Sequence, residues 1–181
     1  GLGRTTCSYF MPGDTSIIYA STHLEDAKCP HVPERRVNGK YVWPIYDSYD
    51  IFISDLKGNV IKRLTKHQGY DAEATVSPKG DKIVFTSIRS GDLELYTCNI
   101  DGSNIKQVTN QLGYDGGAFF SNDGKKLVLG FNGGIGYAKL RGRGYRINAN
   151  SIYKPKDNLN IRVDFTKDLS PSRMQWVEII E

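Results

Sequence analysis

Shifted by 44 residues against itself, the middle of this chain aligns without a gap. Gly58, Ile61, Lys62, Thr65, Gly69, Tyr70, Asp71, Ala74, Ser77, Gly80, Lys82 and Val84 fall on Gly102, Ile105, Lys106, Thr109, Gly113, Tyr114, Asp115, Ala118, Ser121, Gly124, Lys126 and Val128. Self-similarity at a fixed period of this size marks a repeat architecture, in which each unit buries its apolar faces against its neighbours. A third, partial copy stands upstream at an offset of 66, with Pro12, Ile17, Ile18, Tyr19 and Ser21 on Pro78, Ile83, Val84, Phe85 and Ser87. The offsets differ by 22, so an insertion of that size falls between Ser21 and Tyr49, in a stretch rich in proline and charge. Insertions of this kind map to loops on one face of a repeat protein, often the binding face.

Within one period no window has helical apolar spacing, and four short runs read as strands. They are Ala72 to Val76, Lys82 to Ser87, Leu93 to Ile100 and Ile105 to Thr109. Between them lie Ser77-Pro78-Lys79-Gly80, a turn at Arg89 to Asp92, and the hairpin pair Asp101-Gly102. Asp-Gly supplies the positive φ angles that a tight hairpin favours. A meander of four antiparallel strands every 44 residues is the blade of a β-propeller. The expected fold is therefore all-β, with four-stranded antiparallel blades.

The string SPKGDKIVFTSIRSGDLELYTCNIDGSNIKQVTNQLGYDGGAFFSNDGKKLVL, with its neighbours over about residues 7–131, resembles the TolB-like, WD40-like (PD40) propeller repeat. That family's units read roughly SPDGKKIAF, a short loop, an E-[IL]-Y strand, a DG-[ST]-N hairpin and an RLT strand. The resemblance implies a bacterial, exported protein of the periplasm or cell surface that uses its blades as a binding surface for a protein partner. Related propellers gate prolyl-oligopeptidase-type peptidases or form pectin-degrading lyases, so an enzyme's propeller portion and a carbohydrate ligand are the alternatives.

The period is lost after about Phe131, where no second E-[IL]-Y strand or DG-[ST]-N hairpin follows. The chain is thus divided into residues 1–135, the blades with an insertion loop at about 22–48, and 136–181, a divergent β-rich tail packed on the same domain. Asn160 to Phe165 and Met174 to Ile179 alternate as strands do. A closed propeller needs at least four blades, and two clear units plus fragments fall short. Truncation, association of copies into a homo-oligomer, or a tail that caps an open sheet edge would each account for this.

The net charge of +4 lies wholly in the tail, since residues 1–135 hold 15 basic and 15 acidic side chains and residues 136–181 hold 9 and 5. A neutral body offers little field for phosphates, so no nucleic-acid partner is expected. No apolar run approaches a membrane span. Gly1 to Thr6 has no Met, basic start or apolar core, so any export signal was removed or lies upstream. No serine sits in a GxSxG frame, HExxH is absent, and His23, His31 and His67 stand apart, so no catalytic residue, metal or cofactor is assigned. Three cysteines leave at least one unpaired, and the reading is of buried free thiols, with a Cys7–Cys29 disulfide left open.

Two groups remain as candidate ligand-binding residues. Asp71, Glu73 and Asp115 precede or begin the innermost strands, where they would ring a channel mouth for a ligand or cation. Alternatively, each Asp fixes its own turn through backbone hydrogen bonds. In the insertion, Tyr41, Trp43, Tyr46 and Tyr49 are aromatic anchors for a partner, or else they pack the insertion on its own blade.

Overall fold

The structure, a computed structural model, describes residues 2–32, 36–37, 40–41, 45–110, 113–131, 139–140, 143–144, 160–164 and 174–180. Three four-stranded antiparallel sheets form its body. The first joins β1 (Thr5–Phe10), β2 (Ser16–Ser21), β5 (Asp50–Asp55) and β6 (Val60–Arg63), in that order from its inner edge. A two-residue pair, β3 (Arg36–Val37) and β4 (Lys40–Tyr41), lies within the insertion between β2 and β5. The second sheet runs β7 (Asp71–Val76), β8 (Lys82–Ser87), β9 (Glu94–Asn99) and β10 (Lys106–Gln107).

The third sheet departs from the meander. It begins with β11 (Asp115–Phe120) and β12 (Lys126–Phe131), and a separate pair β13 (Lys139–Leu140) and β14 (Arg143–Gly144) follows in the chain. Its third place is taken by β16 (Met174–Ile180) and its outer place by β15 (Asn160–Asp164), so the chain reaches the outer edge before it fills the gap. Both segments read as strands in the sequence are strands. Leu127 pairs with Val177 and Val128 with Trp176, which puts part of the tail in a blade.

The strands lie close to where the alternation places them, with one shortened. The expected strand from Ile105 to Thr109 pairs regularly only at Lys106 and Gln107: Val108 still donates its N–H to the Leu95 carbonyl of β9, but the Leu95 N–H goes to the Thr109 hydroxyl at 2.8 Å, and the Val108 side chain is buried. Turns close as their residues require. Gly80 donates to the Ser77 carbonyl and Gly102, at φ 83°, donates to the Asn99 carbonyl. The Asp101 carboxylate accepts the Ser103 N–H and hydroxyl in the same hairpin.

β8 explains why the middle blade reads as a continuous apolar run. Successive side chains of a strand point to opposite faces. Ile83 and Phe85 enter a cluster with Met11, Ile18 and Ile51 of the first blade, while Val84 joins Ala118, Leu127 and Leu129 of the third. A blade flanked on both faces needs apolar residues on both. By contrast β1, the inner strand of the first blade, is exposed or half-buried along its length. The cysteine expectation holds in part for this reason: all three thiols are free, Cys98 is buried between blades, but Cys7 on β1 and Cys29 in the insertion are exposed. Among the described residues no helix is long and apolar enough to cross a membrane.

Candidate functional site

The three innermost strands share a defect at one level. Pairing shifts register between Thr6 and Tyr9, between Ala72 and Thr75, and between Gly116 and Phe119. Each bulge holds a residue in the left-handed region: Cys7 at φ 51°, Glu73 at 60° and Gly117 at 59°. These positions are related by the same offsets of 66 and 44 that relate the repeats. A bulge bends its strand and re-aims a side chain, and a non-glycine residue there carries strain of order 1–3 kcal/mol.

At Glu73 the strain is offset by hydrogen bonds. Its Oε2 accepts from the Thr86 hydroxyl at 2.8 Å, the Tyr114 hydroxyl at 2.6 Å and the Gly117 N–H at 2.9 Å. Its Oε1 accepts from the Tyr70 hydroxyl at 3.4 Å. The carboxylate thus ties the inner strand of the second blade to the bulge of the third. On the other side, the Cys7 sulfur lies close to Glu73, so the bulge of the first blade also adjoins that of the second. Burial, and next the Glu73 charge, push the Tyr70 and Tyr114 hydroxyls well above the ordinary phenol range, which keeps both as donors. Gly116 leaves the room this cluster occupies. A Cβ at that position would lie 2.3 Å from the Tyr114 ring and hydroxyl and 2.5 Å from Glu73 Oε2.

The two aspartates of the candidate ring are placed differently from Glu73. Asp71 is fully buried, and both its oxygens accept from Arg89 Nη2, at 3.0 and 2.9 Å. The Arg89 guanidinium is held in turn over Phe85 and Tyr96, 5.1 and 5.0 Å from their ring centroids. Asp71 therefore presents no carboxylate oxygen to solvent. Asp115 is 2% exposed and faces Glu94, also 2% exposed. Among the described residues neither aspartate makes the local turn hydrogen bonds that were the alternative; Asp92 does, accepting the Leu93 N–H at 2.9 Å and the Gly113 N–H at 2.7 Å.

Of the insertion's aromatics, two are described in full. Tyr49 is buried and meets the Tyr70 ring edge-on at 5.6 Å. Tyr46 packs beside Tyr49 at 5.9 Å, lies under the Arg4 guanidinium at 5.7 Å, and donates its hydroxyl to the His31 carbonyl at 2.8 Å. These contacts fasten the base of the insertion at the end of the blades where the inner strands begin. Tyr41 is described in its backbone alone, and Trp43 lies outside the described residues.

Sequence reading did not single out Cys7 and Gly117, whose equivalence to Glu73 shows only in the backbone because Cys, Glu and Gly share no side-chain chemistry. Glu94, Arg89 and Arg63 carried a readable signal, since each stands in the repeat alignment opposite a residue of different charge or size.

The model of the PD40 family, described as the TolB beta propeller domain, matches residues 44–149. Among solved structures, the chain is similar to a putative TolB from Agrobacterium tumefaciens, with a TM-score of 0.47 and 18% identity over 95% of this chain and 63% of that one. It is similar also to TolB from Acinetobacter baumannii, at 0.48 and 18% over 97% of this chain and 43% of that one, and to the tricorn protease, at 0.43 and 16% over 86% and 14%. The chain therefore spans less than two thirds of the length of each of these proteins.

Proposed function

We propose, since this chain belongs to the TolB β-propeller domain family, that it is a non-catalytic propeller scaffold that binds a protein partner in the bacterial envelope. The observation that carries this reading is how the polar groups at the inner strands are used. The Glu73 oxygens and the Asp71–Arg89 pair are engaged in bonds within and between blades, which makes a rigid platform. The long loop of the first blade is fastened to that platform through Tyr46, Tyr49 and Tyr70. A rigid base carrying one enlarged loop suits recognition, because little ordering entropy is left to oppose binding.

In this reading Tyr41 and Trp43 are the contact residues, Tyr46 and Tyr49 are the packing that supports them, and Glu73 is an acceptor at the platform's centre. The test begins with the tagged chain exported to the periplasm and the partner it retains there, identified and purified. Affinity is then measured by calorimetry for wild type and Trp43→Ala. The expected result is a weakening of tenfold or more with an unchanged thermal midpoint. Unchanged affinity with a lower midpoint would give Trp43 a packing role and remove the insertion as the docking element. Fractionation of the full gene product tests the location: recovery with the cytosol would overturn it. Light scattering at several concentrations tests whether copies of the chain complete the ring; a mass fixed at 20.3 kDa would reject a homo-oligomer.

A further inference from the structure

Two buried carboxyl groups, Glu94 at the start of β9 and Asp115 at the start of β11, are neighbours at the seam between the second and third blades: the preceding residues, Leu93 and Tyr114, form a parallel bridge, Asp115 donates its N–H to the Leu93 carbonyl at 2.9 Å, and each carboxyl is 2% exposed. Among the described residues, Glu94 Oε2 and Asp115 Oδ1 have no hydrogen-bond partner, and neither residue forms an ion pair. Two ionised carboxylates cannot hydrogen-bond to each other, and an unpaired buried acceptor is costly. A single proton placed between them removes both defects. We propose that Glu94 and Asp115 share one proton, Glu94 donating to Asp115, and that this bond makes the seam between the second and third blades a pH-sensitive joint.

The equivalent seam between the first and second blades shows why the proton is needed. There Asp50 and Asp71 occupy the same two positions, 44 residues upstream, but each has its own arginine, Arg63 and Arg89. At the same offset Arg63 is replaced by Gln107 and Arg89 by Gly133. Gln107 keeps the structural part of its counterpart's role: its Nε2 donates to the Thr109 carbonyl at 2.8 Å, as Arg63 Nε donates to the Thr65 carbonyl at 3.1 Å. It brings no charge.

The other described groups facing the pair do not replace a cation. Thr109 sits against both carboxyls, with its Oγ1 already accepting the Leu95 N–H at 2.8 Å. Asp92, its oxygens held by two backbone N–H groups, adds a negative charge. Ser87 stands opposite Glu94 on β8 and Phe131 opposite Asp115 on β12. Tyr96 and Tyr114 bring neutral hydroxyls, and Arg89, which reaches Tyr96, is engaged with Asp71. Burial first, and then the neighbouring carboxylates, push Glu94 above the ordinary carboxylate range; burial also pushes Asp115 up, with Asp92 adding to it.

The direction of the effect follows. The folded chain holds a proton that the unfolded chain has released, so stability is full below about pH 4 as far as this pair is concerned and declines as pH rises toward about 8, the value to which Glu94 is pushed. The test is a carboxyl-carbon NMR titration of the 181-residue chain labelled at Asp and Glu, from pH 4 to pH 9. Two coupled carboxyl resonances titrating above pH 6, both lost in Glu94→Gln, are expected; titration of every carboxyl below pH 5 would overturn the proposal. A second arm does not depend on that variant folding. Gln107→Arg supplies the missing cation and is expected to flatten the fall in thermal midpoint between pH 5 and pH 8. A wild-type midpoint that does not fall over this range would also overturn the proposal.

Discussion

The two seams of this molecule are built from one plan and neutralised in two ways. At each, the first residue of the inner strand donates its N–H to the carbonyl of the residue just before the preceding blade's third strand, Asp71 to Tyr49 and Asp115 to Leu93. At each, a threonine hydroxyl oxygen accepts a backbone N–H from that strand, Thr65 from Ile51 and Thr109 from Leu95. The acidic pair is kept as well. What changes is the counter-charge: two arginines at the first seam, none among the described residues at the second. The repeat thus conserves the backbone geometry that docks a blade and leaves the electrostatics free to vary. A seam closed by arginines is insensitive to neutral pH, whereas one closed by a shared proton is not.

The largest expected effect comes from breaking the arginine seam. Arg89→Met leaves the fully buried Asp71 without its cation while retaining much of the side chain's contact with Phe85 and Tyr96. Loss of one partner of a buried pair costs about 3–5 kcal/mol. Urea unfolding measures it, and a loss below about 1 kcal/mol would show that Asp71 does not depend on Arg89.

Arg63→Gln comes next, because it makes the first seam imitate the second. Arg63 is 29% exposed and Asp50 keeps a hydrogen bond from Thr65, so the expected loss is smaller, about 1–3 kcal/mol. The pH profile is the sharper readout. Burial already raises Asp50, and the Arg63 hydrogen bond and charge work against that rise. Removing them raises the folded-state value further above the unfolded one, so stability is expected to fall more steeply as pH rises through that range than in wild type. Identical profiles would mean that the arginine does not set the seam's protonation.

How much of this was written in the sequence depends on what a position contributes to the repeat. The blades were legible because turns and strand faces reuse the same residues: Gly58 and Gly102, Thr65 and Thr109, Ala74 and Ala118. The bulges at Cys7, Glu73 and Gly117 were not, since a left-handed backbone tolerates different side chains at a cost and leaves no shared letter. The order of the third blade was also hidden. β15 and β16 read as strands, but pairing of Leu127 with Val177 is set by packing between segments far apart in the chain, not by local pattern. The proton-sharing seam was visible only as differences. An alignment searched for identities passes over Arg63 opposite Gln107.

A third variant tests the inner strands instead of the seam carboxyls. Thr75 of the second blade donates its hydroxyl to the Ala118 carbonyl of the third at 2.6 Å, in a buried site. Thr75→Val keeps the shape and orphans the carbonyl, which is expected to cost about 1–3 kcal/mol without changing the pH profile. A changed profile would tie this contact to the Glu94–Asp115 pair and so blur the distinction between backbone docking and charge.

The smallest effect is expected at the rim. Lys62, on the outer strand of the first blade, donates its ammonium to the Asp101 carbonyl in the hairpin of the second at 2.8 Å. This contact between the two blades is made by a long, exposed side chain that the hydrogen bonds of the first seam do not need. Holding such a chain in place costs rotamer entropy, and water competes for both partners. Lys62→Met is therefore expected to lie within about 0.5 kcal/mol of wild type in urea unfolding. A loss approaching that of Arg63→Gln would mean that the outer strands share in docking the blades. The difference between the seams would then have to be sought along their whole depth, because β10, whose Lys106 is the counterpart of Lys62, would carry the same load at the second seam.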